Sequence, residues 1–181
     1  DTLTRLEAGS GTKNVGDALH EGYSDYFAAS HVSDTSGETV TKIGEYSFSN
    51  CTPLIREMNT LTPFQNTTAF EDEHLAGLTW ASGLWKLRTD LGREAADLIA
   101  LKSLMLLSTK PGFVEAVESL VRADELLYAG ANRSLIRSLF YDQLKFIGGQ
   151  TGIFRDTENL IPEIGFRSGS SVPMGRRSGI N

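Results

Sequence analysis

Cysteine is nearly absent: Cys51 stands alone in 181 residues, so no internal disulfide can staple the fold. That fits a cytosolic protein, or a secreted one that does not depend on disulfides. Positive charge is in deficit, with 17 Lys and Arg against 23 Asp and Glu, which argues against a general nucleic-acid or anionic-membrane surface. Long apolar runs are missing too. The closest, Leu98 to Leu107, is interrupted by Lys102 and Ser103 and falls short of the roughly 20 residues a spanning helix needs. Nothing at Asp1 reads as a signal peptide, and a chain that begins mid-protein would show none. Internal repeats and low-complexity tracts are also lacking. What remains is a chain of ordinary globular composition, long enough for one domain, or one large lobe of a bigger one, to bury a core.

Helical spacing dominates what is present. Residues 1–16 are rich in Gly, Ser, Thr and Asn and read as an irregular approach to a helix starting near Val15 or Asp17, with Asn14 or Asp17 as its cap. The pattern decays after Ala28 through Ser33, Asp34, Ser36 and Gly37. Thr39 to Ile43 and Tyr46 to Phe48 alternate weakly around Gly44, as a short hairpin or an edge segment would. Residues 49–73 carry Pro53, Pro63, Asn50, Asn59, Gln65 and Asn66 without a sustained period, so the whole stretch 33–73 is expected to form a long loop lining a cleft.

From His74 the chain turns helical. Trp80, Leu84 and Leu87 form one stripe and Leu78, Ala81 and Trp85 an adjacent one, which predicts a helix buried nearly all round. A second helix over 93–108 carries Leu98, Leu101 and Met105 at helical spacing. Lys110-Pro111-Gly112 stops it and opens a third, Phe113 to Tyr128, with Val117, Leu120, Val121 and Leu127 inward. Gly130 ends that helix, and Asn132 can cap a last one with Leu135, Ile136, Leu139 and Phe140 in the core. The expectation is a mainly α helical bundle over 1–149, followed by an extended tail, 150–181, packed over its surface. Asn50-Cys51-Thr52, Asn66-Thr67-Thr68 and Asn132-Arg133-Ser134 have glycosylation-acceptor spacing, a triplet common by chance.

The chemistry concentrates in Ala18-Leu19-His20-Glu21-Gly22-Tyr23-Ser24-Asp25-Tyr26-Phe27-Ala28. Glu21 and Asp25, four residues apart, share one helix face, and Leu19, Tyr23 and Phe27 make an apolar one. A carboxylate at the inner end of a packed helix costs free energy unless a proton, a cation or a hydrogen bond meets it. Two readings follow: a solvated acidic face, or a metal ligand, Glu21, with Asp25 orienting a histidine ligand. A local site from His20, Glu21 and His31 has no recognised ligand spacing, and Tyr23 reads as packing.

Glu-Gly-Tyr-Ser-Asp-Tyr-Phe-Ala, residues 21–28, resembles the third-zinc-ligand segment of thermolysin-like metalloproteases, more closely that of the fungalysin family. The resemblance implies that Glu21 binds zinc and that Asp25 hydrogen-bonds a zinc-bound histidine. His74-Leu75-Ala76-Gly77-Leu78-Thr79-Trp80-Ala81 resembles the segment in which His-x-x-Gly-x-x-Trp-Ala opens a helix, which makes His74 the group that stabilises the oxyanion. The family places an aspartate partner just before that histidine; of Glu71, Asp72 and Glu73, Asp72 is the expected one. Leu54-Ile55-Arg56 resembles a Gly-Ile-Arg stretch whose arginine contacts the substrate carbonyl, with Leu54 in place of the glycine. Lys110-Pro111-Gly112-Phe113-Val114 and residues 122–133, Arg-Ala-Asp-Glu-Leu-Leu-Tyr-Ala-Gly-Ala-Asn-Arg, resemble structural blocks of the same family in order and spacing.

One motif of that family is missing. The two histidines and glutamate of His-Glu-x-x-His occur nowhere; His20-Glu21-Gly22-Tyr23-Ser24 fails at its fifth position. One carboxylate cannot fill a tetrahedral zinc site. The resemblance therefore implies the C-terminal lobe of a secreted or cell-surface zinc endopeptidase, inactive alone, whose partner is an N-terminal lobe carrying the histidine pair and whose substrate is a protein or peptide. The rival expectations are a non-catalytic binding or structural module that kept the bundle and lost the metal, and an unrelated helical bundle.

Overall fold

The computed structural model describes residues 15–44, 48–49, 52–53, 55–64 and 73–146. Helices account for most of them: α1 (Val15–Ser36), α2 (Glu73–Leu91), α3 (Arg93–Leu104), α4 (Phe113–Tyr128) and α5 (Arg133–Arg137), the last running on as a π-helix over Ser138–Gln143. Between α1 and α2 lie four two-residue strands: β1 (Lys42–Ile43), β2 (Phe48–Ser49), β3 (Thr52–Pro53) and β4 (Arg56–Glu57). The tail, Asn14 and Asp72 fall outside the described residues.

Helix α2 is the central element. Ala76, Gly77, Thr79 to Trp85 and Leu87 are all buried, as its two adjoining stripes require. One flank meets α1 through Gly22 and Trp80, and another meets the π-helix through Gly83. Trp80 sits within 4.8 Å of Phe140, 5.5 Å of Tyr23 and 5.7 Å of Phe146, centroid to centroid. Phe113 and Phe146 stack at 4.4 Å, and Phe64 lies 4.9 Å and 5.1 Å from them. Aromatic pairs at such separations add to the burial of their area, so this cluster ties α2, the start of α4 and the chain's later turns into one core. The Phe64 N–H donates to the Leu144 carbonyl at 2.7 Å and anchors the inter-helix segment there.

Helix α1 runs eight residues beyond Ala28, where its apolar pattern fades. Polar contacts carry the extension. Tyr26 O–H donates to Asp97 at 2.6 Å, Ser30 donates to both Asp97 oxygens, and Arg88 bridges Ser30 and Asp34, with Arg93 also on Asp34. Arg88 holds the Asp34 carboxyl below its usual range. Deeper in, the Ser103 hydroxyl donates to the Ala100 carbonyl at 2.7 Å, so the Tyr23 O–H is the donor in its 2.8 Å bond to Ser103. Burial pushes the Tyr23 phenol well above its normal range, with Ser103 opposing, and the group stays neutral.

Several local expectations change. Leu98, Leu101 and Met105 are exposed, and α3 instead buries Ala96, Ile99, Ala100, Ser103 and Leu104. That helix ends at Leu104 rather than Ser108, and Leu127 on α4 is also exposed. The inter-helix segment pairs in a different register: β1 is antiparallel to β4, with Ile43 opposite Arg56, and β2 to β3, with Ser49 opposite Thr52. Gly44, at φ +90°, turns the chain between the two ladders, a conformation a side chain would resist. Asn132 stands at the N-cap position of α5 but makes no side-chain cap bond; its N–H and Nδ2 both donate to the buried Asp124 carboxylate, at 2.9 and 2.8 Å.

That last arrangement closes the α4–α5 corner, where Ala129 takes φ +54° and the Gly130 N–H donates to the Asp124 carbonyl. Hydrogen bonds to a charged acceptor contribute about 1.5–3 kcal/mol each at most, and the two share one carboxylate. Asp124→Ala is expected to lower the unfolding free energy by about 2 kcal/mol in urea titration, and Asp124→Asn by less. Equal stability of wild type and Asp124→Ala would show that the corner does not depend on this acceptor.

Candidate functional site

The sequence places Glu21 and Asp25 on α1, Arg56 on β4 and His74 in the first turn of α2, three elements with no local connection. They meet along one strip. His74 Nδ1 lies 3.0 Å from Glu21 Oε2, and one turn further along α1 Arg56 takes both oxygens of Asp25, Nε to Oδ2 and Nη2 to Oδ1, each at 2.6 Å. Asp72 lies outside the described residues, so its relation to His74 is not part of this geometry.

The two pairs have opposite electrostatic settings. Glu21 and His74 side chains are 29 % and 46 % exposed, so both reach solvent and their contact is screened. Asp25 is 4 % exposed, and its carboxylate is compensated by a planar, two-point guanidinium contact, the strongest ion-pair geometry available to it. Each Asp25 oxygen keeps a second lone pair, enough to accept one more N–H. The antiparallel β1–β4 pairing, extended by the Met58 N–H donating to the Thr41 carbonyl at 2.9 Å, holds Arg56 against α1.

Close helix approach sets the first pair. A Cβ built on Gly22 would stand 2.5 Å from the Gly77 carbonyl oxygen, and one on Gly77 would stand 2.7 Å from the Ala18 oxygen and 2.9 Å from the Gly22 nitrogen. Glu21 adjoins the first glycine, and His74 precedes the second by one turn. The backbones of α1 and α2 therefore touch beside the Glu21–His74 contact.

Sequence reading gave His20 and His31 no role. His20 Nδ1 is 3.9 Å from Glu21 Oε1, a loose contact between neighbours that a helix turns apart, and His31 is exposed on the same helix. The pairing of Asp25 with Arg56 also went unread, because each residue carried a separate expected role. The only signal was the unpaired carboxylate on the inward turn of α1.

Among the described residues, no group of three or more His, Cys, Asp or Glu side chains is placed to hold a metal ion. Zinc takes four ligands in a tetrahedron, and this strip offers the Glu21 carboxylate alone with a solvent-reaching oxygen pair. No described helix is long and apolar enough to cross a membrane. A shallow depression lined by Leu91, Gly92, Arg93, Glu94, Ala95 and Tyr128 lies at the far end of α2, remote from this strip.

Comparison with family models, with curated proteins and with solved structures gave no match for this chain. What the strip can do is therefore read from its residues and from the motifs that carry them.

Proposed function

We propose that this chain is the helical C-terminal lobe of a zinc endopeptidase of the thermolysin-like, fungalysin-like kind, with the histidine pair of its metal site supplied by an N-terminal lobe outside these 181 residues. One observation carries the reading: Glu21 and His74, singled out in motifs far apart in the sequence, stand 3.0 Å apart at a solvent-reaching edge. A scaffold has no need to bring an acid and an imidazole together there.

Zinc, when bound, would supply a Lewis acid that activates a water and polarises the scissile carbonyl. The residues of this chain prepare its surroundings. Glu21 presents a carboxylate ligand from a helix fixed on both sides by packing. His74, through a ring N–H, donates to the oxygen that becomes negative as the peptide carbon turns tetrahedral. Asp25, already held by Arg56, can accept the N–H of a histidine from the other lobe and fix its ring orientation. Arg56, which the resemblance sets against a substrate backbone carbonyl, here also holds Asp25 through two N–H donors. Secretion or display at the cell surface belongs to the same reading.

The test is zinc content and casein hydrolysis of a protein that joins this chain to the sequence immediately upstream of Asp1. The expected result is about one zinc per molecule with proteolysis, and neither from residues 1–181 alone. A second reading, a non-catalytic binding or structural module, draws on the fact that both Asp25 oxygens are already engaged by Arg56. A longer protein that folds yet binds no zinc would establish that module and end the protease reading.

A further inference from the structure

We infer that Gly77, working against Gly22, is the positioning residue that sets the separation of Glu21 and His74. The inference rests on the reading of that pair as part of a catalytic site and assigns the part of the fold that holds it.

At Gly22 the obstacle to a side chain is the Gly77 carbonyl oxygen at 2.5 Å, with Trp80 Cβ at 2.9 Å. At Gly77 it is the Ala18 oxygen at 2.7 Å, the Gly22 nitrogen at 2.9 Å and Glu21 Cβ at 3.0 Å. Nearly all of these are backbone or Cβ atoms, which no change of rotamer can move aside. Reaching ordinary contact distance would push the two helices apart by roughly 1 Å at this point. The Glu21–His74 contact stands at 3.0 Å, so a displacement of that size carries it to the outer edge of an ion pair, at about 4 Å. The pair then opens unless the Glu21 side chain follows.

Gly83, on the same helix, supplies the contrast. A Cβ there would meet Leu144 Cδ1 at 2.6 Å and Phe140 Cε1 at 2.7 Å, on the flank that faces the π-helix rather than α1. It perturbs packing on α2 without touching the α1 crossing.

The test reads imidazole 15N shifts by NMR in the full chain, which has only three histidines to assign. Glu21→Gln gives the shift of a His74 without its carboxylate. Gly77→Ala is expected to reproduce that shift for His74 while leaving His31 in place, and Gly83→Ala is expected to leave His74 unmoved. A His74 shift no larger in Gly77→Ala than in Gly83→Ala overturns the inference, because Glu21 has then absorbed the displacement. Should Gly77→Ala not fold, the nuclear Overhauser contact between the Gly22 and Gly77 α-protons decides in Glu21→Gln. Its retention supports a crossing set by the glycines, and its loss shows that the Glu21–His74 contact sets the crossing instead. Neither measurement uses zinc or peptidase activity, so a failure of the protease reading would be seen separately.

Discussion

Arg56→Ala is expected to lower the unfolding free energy of the lobe by about 3 kcal/mol, at the lower end of the 3–5 kcal/mol typical when one partner of a buried ion pair is removed. The cause is the charge left behind. Asp25 is 4 % exposed, and both its oxygens accept from Arg56 at 2.6 Å, so truncation strands a carboxylate that water cannot reach. The Arg56 side chain is itself 17 % exposed, which keeps the figure from the upper end. Asp25→Leu combined with Arg56→Met should recover most of the loss, since a packed apolar pair removes the stranded charge along with its partner. Urea unfolding of the three proteins checks this. A double variant as unstable as Arg56→Ala would mean that the guanidinium stabilises the fold through contacts other than Asp25.

His74→Ala, made in the proposed two-lobe enzyme, is expected to lower kcat by about 100- to 1,000-fold, the loss seen when one donor to a developing oxyanion is deleted. KM should change little, because that donor is aimed at charge present in the transition state and not in the bound peptide. Zinc content should also hold, since His74 is no ligand in this reading. A variant with kcat intact would remove His74 from the chemistry. A variant that loses its zinc would recast His74 as a ligand.

Much of the helical plan was readable, and the reasons differ by element. Helix α4 was bounded correctly at both ends because Pro111-Gly112 and Gly130 are backbone signals that act locally. Helix α1 was read too short because its last turns are held by Tyr26, Ser30 and Asp34 reaching Arg88, Arg93 and Asp97, residues distant in sequence and polar in character. Hydrophobic periodicity is blind to such contacts. Helix α3 misled in the opposite way. Its large apolar residues Leu98, Leu101 and Met105 face out, while the buried stripe is Ala96, Ile99, Ala100, Ser103 and Leu104. Asn132 occupies the N-cap position, but its side chain is held by Nδ2 donating to the Asp124 carboxylate, and its oxygen makes no cap bond to the first N–H groups of α5. Glu21, Asp25 and His74 are singled out by local motifs, whereas the Asp25–Arg56 pair is a product of β1–β4 pairing, which two-residue strands do not announce.

The meeting of Gly22 with Gly77 also has a kinetic meaning. The Gly22–Gly77 contact closes a loop of roughly fifty residues, and closure entropy is paid before the contact returns anything. The turn from α4 into α5, by contrast, forms within a dozen or so residues around Asp124 and Asn132. The corner can assemble early, from neighbours in the chain, while the strip bearing Glu21 and His74 must wait for distant segments to find each other. The edge bearing Glu21 and His74 is thus expected to form late, and substitutions at the helix crossing should be felt in how fast the chain reaches its native state as well as in how firmly it stays there.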